Sequence, residues 1–249
     1  MLSPPVSHPE HNDGLGRQFD HLAIFPQEPL PELGLTHVDQ DSYGGYYGLF
    51  DMQVLAGKAA AFVGSRSNGD AGQLVPLFEK FLTLAQQDCA SDPTAQPTHS
   101  CWLCIRMTLP TDVWTVPRWH TDGIMFDCTC PEPRTPHSKY AFTLLGPSTR
   151  VIAPDPMATA VLLSPSDTGD EWDQNEPDSE LASRLSGYAQ ATLAPGQVFR
   201  FSWGHRDSPI HSEPDSTGLH RVFVSILFGG EAEIQDMCES RGAQYGCWE

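Results

Sequence analysis

With 249 residues, 39% of them hydrophobic, the chain can build one large globular domain around a substantial core, and its length does not require a second. Fourteen basic residues stand against 32 acidic ones, a formal charge of -18, which argues against nucleic acid or an anionic membrane surface as a partner. There is no apolar run of membrane-spanning length, no basic and apolar leader pattern at Met1–Val6, and an odd count of seven cysteines, so the expectation is a soluble, cytoplasmic protein without a secreted disulfide framework.

Residues 1 to about 40 carry Pro4, Pro5, Pro9, Pro26, Pro29 and Pro31, and predict a surface wrap of extended segments and turns in which His8, His11, His21 and His37 are solvated. The aromatic and glycine-rich stretch Tyr43–Phe50, continuing to Phe62-Val63, predicts a strand and a turn followed by either a helix or a strand. From Ala71 to about Cys89 the apolar positions Leu74, Leu77, Phe78, Phe81, Leu84 and Ala85 recur at helical spacing, predicting a helix packed on the outside of a sheet. The pattern then turns to strands at Cys101–Met107, Tyr140–Leu145 and Ala160–Leu163, with a turn at Gly146-Pro147-Ser148. Residues 165 to 187 are acidic and turn-rich and read as a solvated loop or short helix. Strands return at Gln197–Trp203 and Arg221–Phe228, and a short helix closes the chain from about Glu231 to Arg241. Many short strands between turns suggest a mainly β fold with flanking helices, a double-stranded β-helix (jelly roll) of the cupin kind, in one domain whose core runs from about 98 to 230.

The chemistry concentrates in Pro117-Arg118-Trp119-His120-Thr121-Asp122-Gly123, which places an imidazole and a carboxylate two residues apart ahead of the apolar Ile124-Met125-Phe126. On a strand those two side chains share a face, so His120 and Asp122 can aim at one point. A metal needs a third ligand, and two histidines with one carboxylate suit non-heme Fe(II). His211 is favoured over the rival His205 because Pro209-Ile210-His211 leads into the strand expected to pair with Arg221. Arg221 lies in an otherwise apolar strand, where an unpaired charge is costly, and so calls for an anionic partner.

These residues resemble the Fe(II)/2-oxoglutarate-dependent dioxygenases, whose pattern is His-x-Asp, a distal His, and an Arg about ten residues later. The resemblance spans roughly residues 98 to 230 and implies His120, Asp122 and His211 as iron ligands, with Arg221 gripping the far carboxylate of 2-oxoglutarate. Many members carry Arg-x-Ser; here Phe223 takes the serine's place, and Ser225 lies on the same strand face. Tyr140 and Thr143 are further candidates for hydroxyls toward the co-substrate, and Arg118, Arg206 and His205 for contact with the substrate, Arg118 and Arg206, like Arg150, through a carboxylate. The implied reaction consumes 2-oxoglutarate and dioxygen and oxidises a C–H bond of a small molecule by hydroxylation, desaturation or ring closure. An amino acid or secondary-metabolite intermediate is the expected substrate, with aziridine-forming amino-acid oxygenases as possible kin.

Two other readings stand beside it. A cupin-like isomerase or metal-binding protein would share the triad and dispense with 2-oxoglutarate. Cys101-x-x-Cys104 and Cys128-x-Cys130 could instead form a structural zinc site, although Cys101 and Cys104 should face opposite sides of a strand.

Overall fold

Among the described residues ten antiparallel strands divide between two sheets, and the chain alternates between them. The computed structural model describes residues 21–36, 38, 40–91, 97–112, 115–123, 125–126, 137–152, 154–164, 177–204 and 208–249. Most of the expected N-terminal wrap, with His8, His11 and His37, and the acidic segment 165–176 lie outside that set. The six-stranded sheet runs in the order β1 (Leu22–Gln27), β8 (Gln197–Trp203), β5 (His137–Leu145), β10 (Arg221–Gly229), β3 (Ser100–Thr108), β2 (Ser42–Leu49). The four-stranded sheet runs β4 (Arg118–His120), β9 (Ile210–Glu213), β6 (Arg150–Ile152), β7 (Gln190–Thr192). From β3 to β10 the path passes from one sheet to the other at nearly every connection, and the result is a jelly roll. Both edge strands of the larger sheet, β1 and β2, come from residues N-terminal to the 98–230 span.

The outer face of the larger sheet is covered by α1 (Met52–Gly64) and α2 (Ala71–Ser91). Leu74, Phe78, Phe81 and Ala85 of α2 pack on Ile105, Phe142 and Val224, as the helical spacing predicts. The outer face of the smaller sheet buries Trp119, Ile152 and Ile210 beneath α3 (Pro156–Leu163) and α4 (Ser179–Leu185). The run Ala160–Leu163, expected as a strand, is thus the end of a helix. Asp155 starts it by accepting from the Met157 and Ala158 N–H groups, and Pro156 supplies a preset φ in the first turn. A short apolar run does not by periodicity distinguish strand from helix, and the cap decides it.

Between the sheets, Val151 and Leu193 meet Ala141, Phe199 and Phe201. One end of this interior is closed by α5 (Glu231–Ser240), whose Ile234, Met237 and Cys238 pack on Tyr47, Trp102 and Leu227. Among the described residues no helix is long and apolar enough to cross a membrane.

Candidate metal centre

Strands β4 and β9 are neighbours in the smaller sheet, with His120 directly opposite His211. Alternation along each strand sends Trp119 and Ile210 outward and both imidazoles inward, their ring centroids 4.4 Å apart. Two sequence expectations are corrected here. Strand β4 ends at His120, so Asp122 reaches the same point from the irregular segment that follows, not because a strand continues. Strand β9 does not pair with β10; it pairs with β4 and β6, and Arg221 comes from the opposite sheet.

Asp122 Oδ1 lies 3.8 Å from His120 Nε2 and 3.4 Å from His211 Nε2. One potential donor atom from each residue falls within 4.8 Å of the others, and no second such group occurs among the described residues. Two donors each about 2.0–2.2 Å from one ion can be no more than about 4.4 Å apart, and both carboxylate–imidazole separations meet that limit. The other ring nitrogens are also accounted for. His120 Nδ1 is 3.2 Å from the Arg118 carbonyl and His211 Nδ1 is 3.1 Å from the Pro209 carbonyl. A carbonyl can only accept, so each Nδ1 carries the proton and each Nε2 turns a lone pair toward Asp122. Burial, reinforced by the neighbouring His211 and Arg118, holds His120 well below the usual imidazole range, which favours the neutral form that ligates.

Asp122 Oδ2 accepts from Lys139 Nζ at 2.9 Å, with both side chains about nine-tenths buried. Burial alone would raise this carboxyl, but the Lys139 ammonium opposes it and the carboxyl stays well below the ordinary range. One oxygen is thereby occupied and the other left facing the histidines. Lys139 itself lies between the rings of Trp102 and Phe201, 5.7 and 5.6 Å from their centroids, where cation–π attraction offsets part of its desolvation. The donor set, tautomers and carboxylate orientation all fit a divalent non-heme metal.

The triad opens into a cavity of about 220 Å³ that also contains Arg221. This guanidinium is 6% exposed and donates through Nε to the Pro147 carbonyl and through Nη2 to Thr149 Oγ1, both at 3.1 Å. Gly146, with φ +84°, lets the turn after β5 close on the backbone of His220 and Arg221, where a Cβ would overlap the His220 carbonyl. No carboxylate forms an ion pair with Arg221 among the described residues, and burial lowers its pKa to about 10.

The remaining predicted residues separate clearly. Arg118 lines the cavity and is tied to Glu213 at 3.1 Å. Ser225 and Thr143 are buried, on the side of their strands that faces the smaller sheet, but neither borders the cavity. Tyr140 is misplaced as a co-substrate residue: it points to the helix-covered face and donates to Asp88 of α2 at 2.9 Å, because β5 alternation sends it opposite to Lys139. Arg150 is exposed, and His205 and Arg206 lie outside the described residues. Cys101 and Cys104 do fall on opposite faces, and burial raises the Cys101 thiol, making it a poor thiolate ligand. Cys128 and Cys130 lie outside the described residues.

The sequence reading misses Lys139, Glu213 and Arg241 as site residues. A lysine inside the run His137–Leu145 was a usable signal, as was Glu213 two positions after His211. Nothing in the sequence brings Arg241 to the site.

No protein-family model matches the chain, and no curated protein does. Solved structures do resemble it. A rice dioxygenase for auxin oxidation is 10% identical over 87% of this chain and 74% of its own, with a TM-score of 0.42. A prolyl-4-hydroxylase of Pseudomonas putida is 13% identical over 80% and 77%, with a TM-score of 0.31. The non-heme alpha-ketoglutarate-dependent epimerase SnoN from nogalamycin biosynthesis is 14% identical over 76% and 79%, with a TM-score of 0.35. Each of these likenesses is remote. Chemistry is left to the chain's own residues.

Proposed function

We propose that the chain is a cytoplasmic Fe(II)- and 2-oxoglutarate-dependent oxygenase acting on a C–H bond of a small molecule. The observation that carries this reading is the pairing of features in one cavity: an inward-facing His-Asp-His triad and a buried arginine with no ion pair among the described residues. His120, Asp122 and His211 would hold the metal, and Arg221 would bind the far carboxylate of the co-substrate through its planar fork of donors. When bound, iron with 2-oxoglutarate and dioxygen supplies the oxidising power, the co-substrate losing carbon dioxide to become succinate.

The chain's own contribution is orientation and exclusion of water. The Arg118 and Pro209 carbonyls fix the imidazole tautomers, Lys139 aims Asp122, and Phe201 backs His211 at a ring separation of 4.5 Å. A cavity of this size suits a small substrate such as an amino acid or a secondary-metabolite intermediate. Hydroxylation, desaturation and ring closure all begin from the same C–H oxidation, and an aziridine-forming reaction would be one case of the last.

The test is anaerobic titration with Fe(II), with and without 2-oxoglutarate, following the weak visible charge-transfer band of the chelated complex. The reading expects the band in the native protein and its loss in His211→Ala. Iron binding without the band would instead favour a cupin-like isomerase or binding protein. Absence of iron binding would remove the triad as a metal site.

A further inference from the structure

The cavity around the triad is cationic in a strongly acidic chain. Among the described residues its lining includes Arg106, Arg118, Lys139, Arg221 and Arg241 against the carboxylates Asp122 and Glu213, five positive groups to two negative. Under the function proposed above, on which this inference rests, a divalent metal and a dianionic co-substrate cancel each other and leave that surplus of three in place. Clustered cations without counter-charge are costly to hold in a partly desolvated site, and a chain of net charge -18 has acidic residues to spare for neutralising them. The surplus therefore points to a further anion in the working complex.

The five cations are not equally available. Arg106 and Arg118 are both engaged by Glu213, at 3.1 Å each, Lys139 is engaged by Asp122, and Arg221 is the group suited to the co-substrate. Arg241 remains. It follows the last residue of α5, which closes the same end of the interior, and its guanidinium lies 4.3 Å above the Trp102 ring, beside the Tyr47 hydroxyl. No carboxylate pairs with it among the described residues. Stacking on Trp102 and a hydrogen bond to the Tyr47 hydroxyl restrict the side chain and engage one of its five N–H donors, and a guanidinium held in this way keeps donors with which to take a carboxylate.

We infer that the primary substrate is a small carboxylic acid and that Arg241 binds its carboxylate, a specificity-determining contact on the far side of the cavity from Arg221. Because Arg241 is exposed and at a helix end, its replacement should leave the fold intact.

The test uses the protein loaded anaerobically with Fe(II) and 2-oxoglutarate, and calorimetric titration with a fixed panel of protein amino acids and 2-hydroxy acids. Each is run beside its primary amide, and inorganic phosphate forms a separate arm. Perturbation of the visible band is followed in parallel. The expected result is an acid that binds while its amide does not, with a Kd raised about 10- to 100-fold in Arg241→Gln, the range for loss of a charge-assisted contact. Arg241→Lys should recover part of that loss, and 2-oxoglutarate affinity should be unchanged in both variants. Equal binding of acid and amide, binding of phosphate alone, no binding by any acid, or an effect of Arg241→Gln on 2-oxoglutarate instead of on the acid would each overturn the inference. Absence of the band before any acid is added would defeat the oxygenase reading separately. The same titrations on metal-free protein would then still decide the role of Arg241.

Discussion

Replacing Arg221 by leucine separates the cost of a buried charge from its use. Burial lowers the guanidinium from its ordinary value to about 10, equivalent to roughly 3 kcal/mol by which the fold disfavours its charged form. Arg221→Leu removes that penalty but leaves the Pro147 carbonyl and Thr149 Oγ1 without their donor, at about 1–3 kcal/mol each if water does not replace it. The cavity admits water, so the lower figure applies, and the ligand-free variant should lie within about 2 kcal/mol of wild type in urea denaturation. Co-substrate binding should change far more. Two charge-assisted hydrogen bonds at about 1.5–3 kcal/mol each correspond to a rise in the 2-oxoglutarate Kd of roughly 10²- to 10⁴-fold. In a thermal-shift assay with Fe(II), wild type at a hundred times its Kd gains about 2.7 kcal/mol, and the variant at the same concentration gains almost nothing. An unchanged Kd would refute the role given to Arg221. A ligand-free protein destabilised by more than about 4 kcal/mol would show that the arginine is chiefly structural.

Three further outcomes follow from the same contacts. Lys139→Met should weaken Fe(II) binding about 10- to 100-fold in anaerobic titration, because Asp122 Oδ2 loses the donor that orients it; unchanged affinity would mean that the backbone after β4 alone aims the carboxylate. His137, stacked on Trp203 at 4.8 Å, is lowered by burial from 6.5 to about 4, so it is neutral in both states above pH 6.5 and the unfolded chain alone gains its proton between pH 6.5 and 4. Stability should therefore fall by about 3 kcal/mol across that window, and His137→Gln should show a correspondingly flatter pH dependence in denaturant melts; parallel curves for the two proteins would contradict it. Tyr140→Phe should cost about 1 kcal/mol by freeing one donor to Asp88, which Arg200 also contacts at 2.9 Å, while leaving 2-oxoglutarate affinity untouched; a loss of that affinity would return Tyr140 to the site.

Local patterns were readable where one face of an element decides its residues. The α2 helix announced itself through Leu74, Leu77, Phe78 and Phe81, and β8 was bounded correctly at Gln197–Trp203 after a glycine turn. The triad was readable from residue type and order. Which sheet a strand joins was not, because that is fixed by partners far along the chain. His211 was expected to lead into pairing with Arg221's strand, whereas β9 and β10 lie in opposite sheets and bring their side chains together across the interior. Tyr140 and Lys139 show the same limit at single-residue scale. They are adjacent, and choosing which one faces the metal requires knowing which face of β5 the helices cover.

Glu213 explains why two short strands can hold a metal site in register. Along β4 and β9, Arg118 stands opposite Glu213 and His120 opposite His211, so an ion pair and an imidazole pair occupy successive inward-facing positions. Glu213 also takes Arg106 from β3, joining the two sheets at the rim of the cavity. Partly exposed ion pairs of this kind contribute only about 0–1 kcal/mol, too little to account for the fold. Their value lies in selectivity among pairings. A slip of one residue between β4 and β9 would turn a histidine outward and separate Glu213 from Arg118, so the charge pair and the metal ligands favour the same register. The smaller sheet thus carries its ligands on strands of three and four residues, a length at which hydrogen bonds alone specify register weakly.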